Sequence, residues 1–395
     1  MIPQIKHNNI MKRSFHIRSL FFLLLFVFLI ATLINNSRTI IRKTLLLRFQ
    51  LQYPTFEAAL LKHAAIDPTE PQWNREIRNL LDQNNLNNNH HHHHQTRRSH
   101  VSVTLGSPLL FQRNLVPDFH KALREWFQKR KFEPSIMSEL TQLVKNPIEF
   151  HHKGNNYSSS SSEKSSSRYS SCAVVGNSGI LLKKHYGSVI DSHEVVIRLN
   201  HARVQGFEQN VGSKTNISFV NSNILHGCSR MIGCNCHGYN HDVATVMYIC
   251  QPVHFMDYTL CKRSMGARAP LLVVTDPRFD VLCARIVKYY SLRRFVLESG
   301  KGLEEWGPLH DEAMFHYSSG FQAVMLALGV CERVSMFGFG KSVSAKHHYH
   351  TNQKSELSLH DYEAEYEFYD DLVHGIRPLP FLKHDTKLPP LVMYH

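Results

Sequence analysis

The sequence predicts an α/β fold, a Rossmann-like and mostly parallel sheet flanked by helices, preceded by an N-terminal transmembrane helix. Three observations carry this expectation. Short apolar runs at residues 173–175, 195–197, 217–220, 243–249, 271–274 and 334–337 alternate with stretches of helical spacing. Strands that are apolar on both faces belong to parallel sheets covered by helices. The first run ends in Gly176-Asn177-Ser178-Gly179, a turn of the kind that presents backbone N–H groups between a strand and a helix. Near the N-terminus, residues 20–34 are apolar except for Thr32.

From the N-terminus onward, residues 1–18 read as a cytoplasmic tail carrying Lys12, Arg13 and Arg18, and residues 19–35 as a signal anchor. The apolar run lies between a signal-peptide core and a full plasma-membrane span in length, which suits the thinner bilayer of the early secretory pathway. A cleaved signal peptide is the competing reading. Against it, Asn35, Asn36, Ser37 and Arg38 stand where a small-x-small cleavage site would be. Arg38, Arg42, Lys43 and Arg48 on the far side blunt the positive-inside rule.

Residues 43–62 mix Leu, Phe and Tyr as a short helix would, with Pro54 expected to break it. Residues 84–94 are almost all Asn and His and read as a low-complexity spacer; metal capture by His90 to His94 is the alternative. Residues 36–100 thus form a stem, and the folded domain is expected over 101–395. Phe119, Leu123, Trp126 and Phe127 recur at helical spacing, and Pro134 separates them from Ile136, Leu140 and Leu143, which predicts two amphipathic helices over 116–144. The serine-rich stretch 158–167 reads as a mobile surface loop, and Asn156-Tyr157-Ser158 beside it is an N-glycosylation acceptor.

Composition narrows the function. With 43% hydrophobic residues the 395-residue chain can build a large core. The net charge of +13 fits nucleic acid, an anionic membrane surface or an anionic small substrate. An anchor that places the domain in a lumen excludes nucleic acid. The eight cysteines all lie in the C-terminal part and form no C-x-x-C array; Cys234 and Cys236, although close to His237 and His241, lack zinc-ligand spacing and read as part of a disulfide-stabilised loop. The G-x-G-x-x-G and G-x-x-x-x-G-K-S/T phosphate loops are both absent.

Four blocks then point to one family. Cys172-Ala173-Val174-Val175-Gly176-Asn177-Ser178-Gly179, Ile190 to Asn200, Gly206-Phe207-Glu208 and Val211-Gly212-Ser213-Lys214-Thr215 resemble the long sialyl motif of sialyltransferases. Ser318-Ser319-Gly320, Ala323 to Leu328, Cys331 and Phe337-Gly338-Phe339-Gly340 resemble the short one. His347-His348-Tyr349-His350 and His360-Asp361-Tyr362-Glu363-Ala364-Glu365 resemble the two small motifs that close the pattern. The chain is therefore identified as a member of the sialyltransferase-like family, whose fold is a GT-A-like variant. His316-Tyr317 before the serine pair, and residues 346–366 as a whole, resemble the plant branch, one member type of which resembles a galactosyltransferase acting on arabinogalactan.

The resemblance implies a site. Asn177, Ser178 and Asn200 would read the base and ribose of a CMP donor, and Ser318, Ser319 and Gly320 would face it from the start of a helix. Asn177 could instead be a turn residue; the serines would also serve as an N-cap, a reading compatible with facing the donor. His360 would be the base that takes the acceptor proton, and His348 would stabilise charge on the departing phosphate. Glu365, five residues after His360, is expected either to support the site or to act in it. The resemblance also implies a Cys172–Cys331 disulfide. No metal or other cofactor is expected, because the sequence lacks the D-x-D pair that holds a divalent cation in many nucleotide-sugar transferases.

The implied activity is inverting transfer of an acidic sugar from a CMP donor to galactose-terminated glycans of glycoproteins at the Golgi membrane, by a type II protein. UDP-galactose as donor and arabinogalactan as acceptor is the alternative. A catalytically silent Golgi scaffold is a third reading, opposed by the joint presence of Asn177, Asn200, His348 and His360.

Expressed in eukaryotic cells, the full chain is expected in the membrane fraction with Asn156 glycosylated. A wholly secreted product beginning after about residue 36 would show cleavage instead.

Overall fold

The structure, a computed structural model, describes residues 54–82, 115–153, 168–229, 236, 239, 242–264, 271–311, 315–342, 344–351, 359–375, 377–383 and 386–394. The chain divides into two compact units, Met1–Lys62 and His63–His395. The described residues of the first belong to a helix, Pro54–Ala65. Pro54 opens that helix and does not break it, since at the first helical position its missing N–H would have found no partner. The anchor segment, the Asn/His spacer, Asn156 and the serine-rich stretch lie outside the described residues. Among the described residues no helix is long and apolar enough to cross a membrane.

The second unit is built on seven parallel strands: β1 Cys172–Val175, β2 Val195–Leu199, β3 Ile217–Asn221, β4 Ala244–Tyr248, β5 Leu272–Val274, β6 Val334–Phe337 and β7 Leu391–Tyr394. The first six coincide with the six apolar runs. The seventh, which the sequence did not announce, pairs in register with β6 from Val334↔Leu391 to Phe337↔Tyr394. The order is β5-β4-β3-β2-β1-β6-β7. The chain therefore starts mid-sheet, adds strands outward on one side, and crosses back over β1 to build the other.

That reversal falls between β1 and β6, and parallel α/β sheets bind ligands in the crevice such a reversal opens. Here the two strand ends nearly touch. The N–H of Gly176 donates to the carbonyl of Phe337 at 2.7 Å, and a Cβ on Gly176 would lie 2.6 Å from the carbonyl oxygen of Gly338. Gly338 itself takes a left-handed φ of 73°. Both positions need glycine for the backbones to pass.

Helices cover both faces. The helix Ser319–Val330 is buried along its entire length and packs on β1, β2, β3 and β6. Behind it runs Pro277–Ser299, capped by Asp276, started by Pro277 and ended by a left-handed Gly300. It packs on Tyr362–His374, where the Tyr290 hydroxyl donates to Asp371 at 2.8 Å and Arg377 forks onto the same carboxylate. Elsewhere Leu115–Gln128 places Phe119, Leu123 and Trp126 against Val220 and Met247. Pro134 falls between that helix and Ile136–Leu140, as expected, and the latter continues through a π turn into Asn146–Lys153.

Glu70–Asp82 adds a helix to the folded unit within the stretch expected to be stem. Its Ile77 is buried in the same cluster, and Trp73 stacks on Trp126 at 5.7 Å. The fold therefore begins ahead of residue 101. The apolar residues Trp73, Ile77, Leu80 and Leu81 already stand at helical spacing.

Cys172 and Cys331 are bonded across 159 residues, at the opposite end of β1 from the Gly176 crossing. Cys236 and Cys261 form a second bridge, Cys228 is also disulfide-bonded, and Cys250 and Cys283 are free among the described residues. Replacing Cys172 and Cys331 together by Ser should lower stability by about 3–5 kcal/mol, since the closed loop is long. Denaturant titration of the double variant against the parent measures this, and unchanged stability would contradict it.

Candidate active site

At the carboxyl ends of the strands lies a cavity of 1180 Å³. Asn177, Ser178 and Asn200 line it from the loops after β1 and β2, and Ser318, Ser319 and Gly320 from the start of the buried helix. His348 and His360 close it from the two C-terminal motifs. All eight residues singled out in the sequence as donor-binding or catalytic thus meet around one space.

Their hydrogen bonds separate them. Ser178 donates to the carbonyl of Gly340 at 2.8 Å and accepts from Ile180, so its hydroxyl ties the β1 loop to the β6 loop. The turn after β1 leads only into a short 3-10 segment, Gly179–Lys183, so no long helix presents its N-terminus there. Ser318 caps the helix by accepting from Phe321 N–H at 3.1 Å, and the helix begins at Ser319. Ser178 and Ser318 thus tie the protein's own loops together while lining the cavity.

Asn177 and Asn200 are placed differently. The Asn177 side-chain oxygen is buried and has no hydrogen-bond partner among the described residues. A polar atom left in this way on a cavity wall is costly unless a ligand meets it. Asn200 sits in the left-handed region at φ 47°, where Asn is tolerated better than most residues. Its side-chain oxygen accepts the Asn221 N–H at 3.1 Å, which directs its amide nitrogen to Ser319 Oγ at 3.2 Å.

Glu365 is 2% exposed and grips Ser318 twice, accepting its N–H at 2.7 Å and its hydroxyl at 2.6 Å. Burial pushes its carboxyl up to about 7, even though the two Ser318 bonds pull the other way. The site role left open for Glu365 by the sequence is thus supporting: it joins the first turns of two helices.

His360 is anchored through Nδ1, 3.0 Å from the His316 carbonyl. A carbonyl only accepts, so Nδ1 carries the proton and Nε2 carries the ring's lone pair. Burial, then the neighbouring His316, brings its pKa down to about 4, which keeps the ring neutral. The His316 ring lies edge-on at 4.6 Å. His348 is likewise held below its ordinary value by burial and by His350, stacks on His347 at 4.5 Å, and lies 3.3 Å from the Thr351 hydroxyl.

The sequence reading missed Asn221, Tyr248 and His316 as cavity residues. Asn221 and Tyr248 are the last residues of β3 and β4 and pair across the sheet. The rule that ligands sit beyond the carboxyl ends of parallel strands is the signal that would have found both.

Among the described residues no cluster of His, Cys, Asp and Glu is arranged to hold a metal ion. The family model for glycosyltransferase family 29 (sialyltransferase) matches residues 111–375, a span that includes all four motifs. The chain belongs to this family. It is a glycosyltransferase, and such enzymes take nucleotide-sugar donors and glycan acceptors. It is 50% identical to Beta-1,6-galactosyltransferase GALT29A of Arabidopsis thaliana, over 98% of this chain and 100% of that one. It is 46% identical to Sialyltransferase-like protein 1 of Oryza sativa subsp. japonica, over 86% of this chain and 88% of that one. With CMP-N-acetylneuraminate-beta-galactosamide-alpha-2,3-sialyltransferase 1 of Sus scrofa it shares 27% identity over 49% of this chain and 52% of that one.

The raised pKa of Glu365 has a testable sign. A carboxyl that titrates near 4.5 unfolded and about 7 folded contributes stability that is complete below 4.5 and lost as pH rises through 7. Glu365→Gln, which cannot titrate, should therefore gain on the parent between pH 4.5 and 7. Urea midpoints of both proteins across that range check it, and a constant difference would remove the raised pKa.

Proposed function

We propose that the chain is an inverting galactosyltransferase that moves galactose from UDP-galactose to a galactose-terminated glycan with formation of a β-1,6 linkage. Similarity along nearly the whole chain to a protein named as a β-1,6-galactosyltransferase carries this choice of sugar. The match to a CMP-N-acetylneuraminate transferase spans about half the chain at lower identity, and the CMP-linked acidic sugar is accordingly the second reading.

The chemistry asked of the site is one displacement. The acceptor hydroxyl oxygen attacks C1 of the donor sugar from the face opposite the phosphate, the C1–oxygen bond to the phosphate breaks, and the nucleotide leaves with that electron pair. His360 accepts the acceptor proton at Nε2. Its pKa of about 4 is low for a base, but an anionic phosphate nearby favours the imidazolium and raises it. His348, neutral for the reasons above, donates an N–H to the leaving phosphate. Asn177 supplies an acceptor to the nucleoside through its unmet oxygen.

The site works without a metal. What supports this is its acid content: among the described lining residues Glu365 is the one carboxylate, and Ser318 already engages both its oxygens. Lys341 and Lys346 on the same wall supply positive charge toward a phosphate. The chain acts from the Golgi membrane, held by residues 20–34, with its catalytic unit in the lumen.

His360→Ala should lower kcat by about 10²–10⁴-fold and leave nucleotide binding nearly unchanged, because a general base acts in the transition state. His348→Ala should weaken donor binding as well as turnover. Thermal shift separates the donors, since a ligand that binds only the folded state raises its melting temperature. UDP-galactose should stabilise the parent and CMP-linked sialic acid should not; the reverse would move the assignment to the second reading. A folded His360→Ala protein with parent turnover would remove the base.

A further inference from the structure

Ser319 lies where three polar side chains converge on one hydroxyl. Asn200 Nδ2 is 3.2 Å from Ser319 Oγ, Asn221 Nδ2 is 3.3 Å away, and the Tyr248 hydroxyl is 3.2 Å away. Neither amide can be turned around. Asn200 Oδ1 accepts the Asn221 N–H, and Asn221 Oδ1 accepts the Asn223 N–H, each at 3.1 Å. Both nitrogens therefore donate to Ser319 Oγ and fill its two acceptor positions.

The Ser319 proton then goes to the remaining neighbour, the Tyr248 oxygen. This leaves the phenol proton of Tyr248 with no acceptor among the described residues. Tyr248 is 4% exposed and lines the cavity. Burial pushes its pKa well above the ordinary phenol value, so the proton stays. Beside it begins the helix Ser319–Val330, whose first-turn N–H groups have no intrahelical partner and whose positive end favours an anion.

We propose that Tyr248 is a donor-positioning residue: its hydroxyl, oriented by the Asn200–Asn221–Ser319 relay, donates to a phosphate oxygen of the bound nucleotide-sugar at the N-terminus of the Ser319–Val330 helix. The proposal rests on the nucleotide-sugar reading of the cavity and is independent of which sugar is carried. Tyr248 reaches the cavity from the carboxyl end of β4, and His348 lines the same cavity. Charge accumulating on that phosphate strengthens a hydrogen bond already aimed at it.

Tyr248→Phe keeps the buried ring and removes only the hydroxyl, and Ser319→Ala removes the relay while leaving Tyr248 in place. Calorimetric titration of the full chain with UDP and uridine, and in parallel with CMP and cytidine, reads the effect. For the nucleotide pair that binds the parent, Tyr248→Phe should weaken the nucleotide about tenfold and leave the nucleoside unchanged. Ser319→Ala should give a smaller loss, and the double variant should lose no more than Tyr248→Phe alone. A merely structural tyrosine would weaken nucleotide and nucleoside together, and that outcome, or equal nucleotide affinity in Tyr248→Phe and parent, overturns the proposal. If neither UDP nor CMP binds the parent, the nucleotide-sugar reading itself falls, and the proposal with it.

Discussion

A helix buried along its whole length cannot solvate the N–H groups of its first turn, and the site depends on how Ser319–Val330 meets this constraint. Ser318 caps it, and Glu365 holds Ser318 by both its N–H and its hydroxyl. Because Glu365 belongs to the first turn of Tyr362–His374, the two helix starts are locked together. Asp361, next to His360, caps that second helix by accepting the Ala364 N–H and also takes a hydrogen bond from Ser291 on the long helix Pro277–Ser299. The position of His360 thus follows from satisfying backbone groups, with its ring carried along.

The fold was largely legible because buried parallel strands show as apolar runs. Six of seven strands could be read this way. The seventh follows Pro389-Pro390 near the chain end, is four residues long, and owes its structure to the exposed edge of β6. The helix Glu70–Asp82 was hidden by the polar tract that follows it, although its apolar residues keep helical spacing. Pairing of the remaining cysteines was not legible at all, since Cys236 and Cys261 meet only after the intervening chain has folded.

The candidate site divides along a similar line. Residues carried by motifs were found, and the motifs also hold residues whose visible work is mechanical. Much of the long motif binds the protein to itself: Asp191 accepts the N–H groups of Ser213 and Lys214, Lys214 Nζ reaches the His193 carbonyl, and buried Arg198 donates to Lys214 and Thr215. Asn221 and Tyr248 were missed for the opposite reason. Each stands at the end of a buried strand, so each reads as the edge of core, and only the sheet order brings them next to Ser319.

Asn200 shows how little freedom such a site leaves. Its backbone lies at φ 47°, which suits glycine and asparagine and penalises most other side chains. Its amide must also accept at one end and donate at the other. Glycine meets the first demand and fails the second; glutamine meets the second and strains against the first. Aspartate fits the backbone but offers only acceptors, and would bring a negative charge beside the start of the buried helix. None of these three replacements satisfies both demands, so variation in this cavity has to come from other parts of its wall.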